Sequence, residues 1–239
     1  MRRSRSYCGK LSTMATYKNL PDAELLPLIK RELFSAIIGD ILDKMGYLHC
    51  FLPPRIRPLR EDMVVAGRAM PVLEVDLPAD AAPDRKPFGM MLEALDDLRP
   101  HEVYFAAGSS PRYALWGELM STRAMKLGAA GAVMDGWARD TSGILRLGFP
   151  TFAHGSYAQD QGPRGEVTDF RVPVQVEGVT VRPGDLIYGD RDGVLVVPRE
   201  AEEEALTRAF EKLEGENLVR IAIENGMSTV EAFRTYGVM

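Results

Sequence analysis

The sequence predicts a single α/β domain with helical ends and a β-rich middle. Three observations carry this expectation. Apolar residues recur at helical spacing before Gly46, a strand–helix–strand alternation runs from about residue 101 to 135, and turn signals punctuate β-rich segments after residue 166. No internal repeat, low-complexity segment or linker divides the chain, and 239 residues suffice for one substantial core.

Residues 1–15 read as a loose tail and 16–239 as the domain. The tail is basic, but no hydrophobic stretch follows it, so it is not a secretory signal. From 22 to about 45, Leu25, Leu28, Ile29, Leu33, Ile37, Ile38, Ile41 and Leu42 mark one helical pattern that Gly46 stops as a C-cap. Residues 51–60, rich in proline and arginine, form a connector. Residues 63–75 read as a strand in which Gly67 marks a bulge or a close approach. A loop at 78–87 and a short amphipathic helix at 88–98 lead to a strand at 101–107. A helix at 118–127, closed by Gly128, and a buried strand at 130–135 follow, then a strand-like run at 149–154. Segments 166–176, 179–181 and 186–197 are β-rich, separated by Glu177-Gly178, Arg182-Pro183-Gly184-Asp185 and Asp192-Gly193. Two or three helices run from 200 to about 236.

Composition excludes several classes. With 46% hydrophobic and 26% charged residues the chain is of ordinary globular type. No apolar run approaches the roughly 20 residues of a membrane span. A net charge of −5 argues against a general nucleic-acid binder. Cys8 and Cys50 build neither a disulfide framework nor a metal motif, which points to a reducing cytoplasm.

Chemistry concentrates between Trp116 and Gly148. A ten-residue helix rises about 15 Å, and a six-residue strand returns about 20 Å. The helix start at Gly117-Glu118 and the loop at 135–140 therefore meet at one end. Free N–H groups at a helix start suit a carboxylate, and Gly117 lets a ligand come close to the backbone. Arg139 offers planar donors for a carboxylate or keto-acid oxygen. Asp140 is a hard oxygen ligand of the kind that, with waters and substrate oxygens, holds Mg²⁺ or Mn²⁺. Glu118 is placed to hold a metal-bound water. By residue type alone a second reading stands beside this one, in which Arg139 and Asp140 are solvated loop charges and Glu118 pairs with its helix dipole.

The stretch WGEL, GAAGAVMDG and RD resembles the RraA-like family, which includes the class II 4-hydroxy-4-methyl-2-oxoglutarate aldolases. The family's signature is an acid, twenty residues, then Arg-Asp, as in Glu118, Arg139 and Asp140 here. Segments 172–185 and 190–198 are similar to it as well, so the likeness covers most of 33–239. It implies a swivelling α/β/β-type single domain, assembled as a homotrimer or homohexamer with sites near subunit boundaries. It further implies that the backbone amides of Gly117, Glu118, Leu119 and Met120 receive the carboxylate of a small 2-oxo acid. Arg139 would hold the keto oxygen, Asp140 would ligate Mg²⁺ or Mn²⁺, and Glu118 would steer metal-bound water. Pyruvate would be released by retro-aldol cleavage, or by decarboxylation of oxaloacetate through the same enolate.

Two positions depart from the family pattern. Glu118 stands where the aldolases commonly have Asp, and Gly143 where they often carry an acid. The alternatives are a non-catalytic member that binds a ribonuclease, and a related decarboxylase or hydro-lyase on another hydroxy acid. Asp140 favours the enzyme, since the ribonuclease-inhibiting branch tends to lack that acid.

Other residues read more simply. His49, His101 and His154 are not at metal-ligand spacing from one another and read as structural or surface residues, His154 being the best placed of them. Asp160 sits in a polar loop that could rim a pocket, with loop solvation the simpler reading; Asp190 and Asp192 flank a turn, and the glutamates of 202–204 and 211–216 are exposed helix faces. Gly128-Ala129-Ala130-Gly131 falls between helix and strand, the wrong order for a dinucleotide fingerprint. Lys126 lies toward the far end of its helix from the site, which disfavours a Schiff base.

Overall fold

The computed structural model describes residues 20–78, 81 and 85–237; the tail predicted at 1–15 lies outside them. Two helices open the described chain, α1 (Asp22–Glu32) and α2 (Ser35–Lys44). The single helical run expected over 22–45 is thus broken at Leu33 and Phe34, which are extended. The break is stabilised from the far end of the sequence. The Tyr188 hydroxyl donates to the Leu33 carbonyl at 2.6 Å, and the Ser35 N–H and hydroxyl both donate to the Asp190 carboxylate at 2.7 Å. Gly46 ends α2 as expected: with φ +88° it lets its own N–H reach Asp43 and that of Tyr47 reach Leu42, a Schellman closure.

The strands and remaining helices follow in order: β1 (Arg57–Pro58), β2 (Val65–Asp76), α3 (Met91–Asp96), β3 (Glu102–Ala107), β4 (Ala114–Trp116), α4 (Glu118–Lys126), β5 (Gly131–Met134), β6 (Trp137–Ala138), α5 (Thr141–Leu147), β7 (Thr151–Ala153), β8 (Gly165–Phe170), β9 (Val174–Val176), β10 (Val179–Val181), β11 (Leu186–Asp190), β12 (Gly193–Val197), α6 (Glu202–Glu224) and α7 (Thr229–Tyr236). The predicted 88–98 helix contracts to the six residues of α3. The 166–176 run splits at Arg171, whose φ is +57° and whose guanidinium is tied to Asp97 and Glu102. The helix α5 and the short strands β4 and β6 were not anticipated.

One sheet organises the molecule, in the order β1-β7-β5-β3-β2-β11-β12, with β8 also paired to β2. β2, β3, β5 and β7 are parallel, and the remaining pairings of this sheet are antiparallel. Leu52 N–H donates to Val194 and Val196 N–H to Cys50, so the segment before β1 flanks the opposite edge and nearly closes the sheet into a barrel. The close approach expected at Gly67 is real: a Cβ there would stand 2.6 Å from the His101 carbonyl oxygen.

Alternation along β3 shows how the core is divided. Val103, Phe105 and Ala107 join the cluster on one face of the sheet, where the β9–β10 hairpin also packs. Tyr104 and Ala106 face the cluster under α3, α4 and α5. A third cluster unites α1, α2 and α6 over β11 and β12. Helical ends around a β-rich middle, as predicted, are the result. Among the described residues no helix is long and apolar enough to cross a membrane.

Candidate active site

β4 and β6 form a two-stranded parallel ribbon beside the main sheet, and each runs directly into a helix. The Arg139 N–H donates to the Trp116 carbonyl at 2.8 Å, so Gly117 and Arg139-Asp140 leave the ribbon side by side. The expected meeting of the α4 start with the 135–140 loop is therefore realised. Trp116, buried against Tyr104 and Phe149, anchors this corner. Its indole N–H donates to the Ser121 hydroxyl (2.7 Å), which in turn donates to the Gly117 carbonyl (3.1 Å).

Gly117 is the N-cap of α4 and has no side chain to cap with, so the first-turn N–H groups of Glu118, Leu119 and Met120 stay open to a ligand. A Cβ on Gly117 would stand 3.1 Å from Asp140 Oδ2, which keeps the gap between helix start and carboxylate clear. Asp140 holds a left-handed conformation, φ +53° and ψ +31°, as the N-cap of α5. Such a conformation in a non-glycine residue carries strain. Here it directs the carboxylate away from the α5 amides, none of which it caps.

The charges converge. Arg139 Nη1 lies 2.8 Å from Asp160 Oδ1, and Arg139 Nε lies 3.8 Å from Asp140 Oδ2. Glu118 rests on Gly143, where a Cβ would stand 2.2 Å from its Cδ and Oε2, and Arg146 Nη2 approaches its Oε1 at 3.8 Å. The side chains of Arg139, Asp140, Asp160 and Glu118 are 39–55% exposed on the single chain, open enough to meet a small ligand. The Leu119 side chain is 83% exposed, so only its backbone faces the charged residues.

All six residues singled out in the sequence, Gly117, Glu118, Leu119, Met120, Arg139 and Asp140, thus stand at one end of the β4–β6 ribbon. Asp160, read as a loop charge or a pocket rim, and Gly143, read as a missing acid, both touch the charged residues. Asp160 reaches Arg139 because Gln159 accepts from the Ala114 N–H at 2.8 Å, a pairing no local pattern announces. His154 lies elsewhere, 2.9 Å from Asp135, where Arg55 joins both at the ends of β5 and β7. Burial alone would raise the Asp135 carboxyl, yet hydrogen bonds from His154 and Arg55 hold it below the ordinary range. With its side chain 6% exposed, His154 is a structural residue.

Among the described residues no group of three or more His, Cys, Asp or Glu surrounds a common point. The site thus offers no all-protein metal cage among the described residues. A hard, largely hydrated ion held by one or two carboxylates fits it, since Asp140 is exposed and its contact with Arg139 is longer than a hydrogen bond.

The family model RraA-like, described as Aldolase/RraA, matches residues 35–196. The chain belongs to the RraA-like family. An RraA-like relative from Halalkalibacterium halodurans, provisionally named 4-hydroxy-4-methyl-2-oxoglutarate aldolase, is 32% identical over 85% of this chain and 90% of its own length. Protein DlpA of Legionella pneumophila is 27% identical over 96% of this chain, which spans only 38% of DlpA. Among solved structures, Streptomyces coelicolor RraAS2, described as an unusual member of the RNase ES inhibitor RraA family, superposes with a TM-score of 0.72 at 27% identity, covering 84% of this chain and 97% of that one. The RraA-like fold therefore carries proteins named for aldol cleavage and proteins named for ribonuclease inhibition.

Proposed function

We propose that this protein is a divalent-metal-dependent carbon–carbon lyase. Its substrate is a small 4-hydroxy-2-oxo acid such as 4-hydroxy-4-methyl-2-oxoglutarate, and its product is pyruvate. The observation that carries the reading is the placement of the Arg139 guanidinium and the Asp140 carboxylate beside the uncapped first turn of α4.

The substrate carboxylate accepts from the amides at Gly117, Glu118, Leu119 and Met120, at the positive end of the α4 dipole. Arg139 donates to the 2-keto oxygen and favours the enolate over the ketone. Asp160 keeps the Arg139 fork in place by taking one of its donors. Glu118 receives the proton of the 4-hydroxyl as the C3–C4 bond breaks and its electron pair passes toward C2. Return of that proton from Glu118 to C3 then yields pyruvate, and the former C4 leaves as a second carbonyl compound. Mg²⁺ or Mn²⁺ bound at Asp140 would supply Lewis-acid stabilisation of the developing charge. Oxaloacetate decarboxylation follows the same route to the enolate, with CO₂ leaving in place of the second carbonyl.

The same reading takes the cytoplasm as its compartment and a homotrimer or homohexamer as its assembly, with no nucleic acid or membrane partner. The test is pyruvate release from 4-hydroxy-4-methyl-2-oxoglutarate and from oxaloacetate with Mg²⁺ or Mn²⁺, repeated in EDTA. Metal-dependent pyruvate from either substrate supports the lyase. The likeness to RraAS2 carries a second reading, a non-catalytic ribonuclease regulator; a folded, metal-loaded protein that yields no pyruvate but forms a complex with a ribonuclease would replace the first with it. A third outcome, turnover only of another hydroxy acid, would keep the site and change the substrate.

A further inference from the structure

Beneath the site a carboxyl group is buried with half of its hydrogen-bonding capacity unused. Glu74 stands in β2 where the register against β8 shifts between Leu73 and Glu74, an irregularity that re-aims a side chain. It is fully buried. Its Oε2 accepts from Gln161 Nε2 at 2.5 Å, while its Oε1 has no partner among the described residues. Tyr104 of β3 and Tyr113, just before β4, are the titratable groups beside it, and the Tyr104 hydroxyl has no partner among the described residues. Neither of these groups nor Gln161 offers a counter-charge. A lone buried carboxyl costs stability that an apolar side chain of similar volume would not.

The partner of Glu74 shows what this arrangement does. Gln161, itself 3% exposed, opens the turn before β8, with its carbonyl accepting from the N–H groups of Arg164 (2.7 Å) and Gly165 (3.0 Å). The preceding residue is Asp160, whose carboxylate holds Arg139 at 2.8 Å and whose carbonyl accepts from Arg164 Nη1 at 3.0 Å. One amide side chain and one peptide unit therefore connect Glu74 to the guanidinium of the site.

We propose that Glu74 is a positioning residue for Arg139: through Gln161 it fixes the turn that holds Asp160 against the guanidinium. The inference rests on the assignment of Arg139 to the keto oxygen. Burial pushes the Glu74 carboxyl up to about 8, so at neutral pH it is protonated and its carbonyl oxygen meets the Gln161 N–H. At higher pH the charge appears without compensation, the turn opens to admit water, and Asp160 withdraws from Arg139.

The test uses the full chain loaded with Mg²⁺ and the variants Glu74→Gln, Glu74→Leu and Gln161→Leu. Glutamine imitates the protonated acid, whereas either leucine removes the link. Three readouts are taken between pH 6 and 9.5: steady-state pyruvate release, calorimetric binding of oxalate as a planar mimic of the pyruvate enolate, and hydrogen exchange of residues 157–165 with the Arg139 Nε–H resonance. Glu74→Gln is expected to keep the wild-type KM at pH 7 and to lose the decline of the wild type above about pH 8. Both leucine variants are expected to weaken oxalate binding and raise KM roughly 10-fold. They should speed exchange in 157–165 with α1 and α2 unchanged, and the double variant should be no worse than either single one. Wild-type oxalate binding in Glu74→Leu, the same alkaline decline in Glu74→Gln, or loosening spread over the whole molecule would overturn the proposal. If Glu74→Leu does not fold, Gln161→Leu breaks the same bond from its other end. If the wild type releases no pyruvate, the lyase reading has failed, and exchange together with the Arg139 resonance still decides the link.

Discussion

The Glu118 carboxylate lies on the backbone of Gly143, so close that a Cβ there would stand 2.2 Å from its Cδ and Oε2. Glycine in a helix costs about 0.5–1 kcal/mol relative to alanine. Its presence in the first turn of α5 is explained by the room it leaves. The longer acid at 118 and the missing side chain at 143, which the sequence shows as two departures from the family pattern, are one packing arrangement.

Gly143→Ala separates these effects. Helix propensity alone predicts equal or slightly higher stability, but the new Cβ must displace Glu118. The expected result is an unchanged or raised Tm with kcat for pyruvate release lowered roughly 10–100-fold. Adding Glu118→Asp, one methylene shorter, should restore part of the rate. Full activity in Gly143→Ala would remove Glu118 from the role proposed for it.

Asp160→Ala removes the 2.8 Å partner of Arg139. Both side chains are about 40% exposed, so the pair contributes at most about 1 kcal/mol to stability. The change should appear as a several-fold higher KM with little shift in the denaturation midpoint. Arg139→Lys is expected to lose far more, because a point charge cannot reproduce the planar donor fork.

The break between α1 and α2 depends on Asp190, which accepts from the Ser35 N–H, the Ser35 hydroxyl and the Asp192 N–H. Asp190→Ala should cost about 1–3 kcal/mol and Ser35→Ala about 1 kcal/mol. In urea, the double variant should fall short of the sum of the two, since they share bonds. Strict additivity would mean that the two residues act separately.

Stability should fall with pH because of Glu74. Its folded pKa, about 8, lies above the ordinary 4.5, so the folded chain binds a proton that the unfolded chain has released between those values. The contribution is complete below pH 4.5 and lost by about pH 8. At roughly 1.4 kcal/mol per unit, a few kcal/mol are involved. Thermal melts of wild type and Glu74→Gln should diverge over that window, the variant gaining relative to the wild type as pH rises. Parallel curves would show that Glu74 is ionised throughout.

Much of the site was legible because its parts lie close in sequence and obey local rules. Helix 118–127, the strand after it and the loop at 135–140 follow from periodicity and rise per residue, and these bring Glu118 to Arg139 and Asp140. Gly46 and Gly128 announce helix ends because only a left-handed residue lets the last carbonyls be satisfied. The contacts of Asp160 with Arg139 and of Gly143 with Glu118 were not legible, and Glu74 was not read at all. Each matters through a neighbour from another element, and none interrupts a pattern of its own segment. The helix break at Leu33 was hidden for the same reason, since the groups that satisfy it belong to β11, some 155 residues later.

By itself, then, the sequence determined the fold class, the family and the residues proposed here to meet an oxo acid, since periodicity, capping and residue chemistry act over a few positions. Tertiary structure decided which of those residues touch. It bent one predicted helix into two, seated Glu118 on Gly143, and tied Arg139 to Asp160 and, through Gln161, to a buried acid. The physical reason is that burial and close packing are properties of pairs brought together by the whole sheet, and a pair distant in sequence leaves no mark on either local pattern.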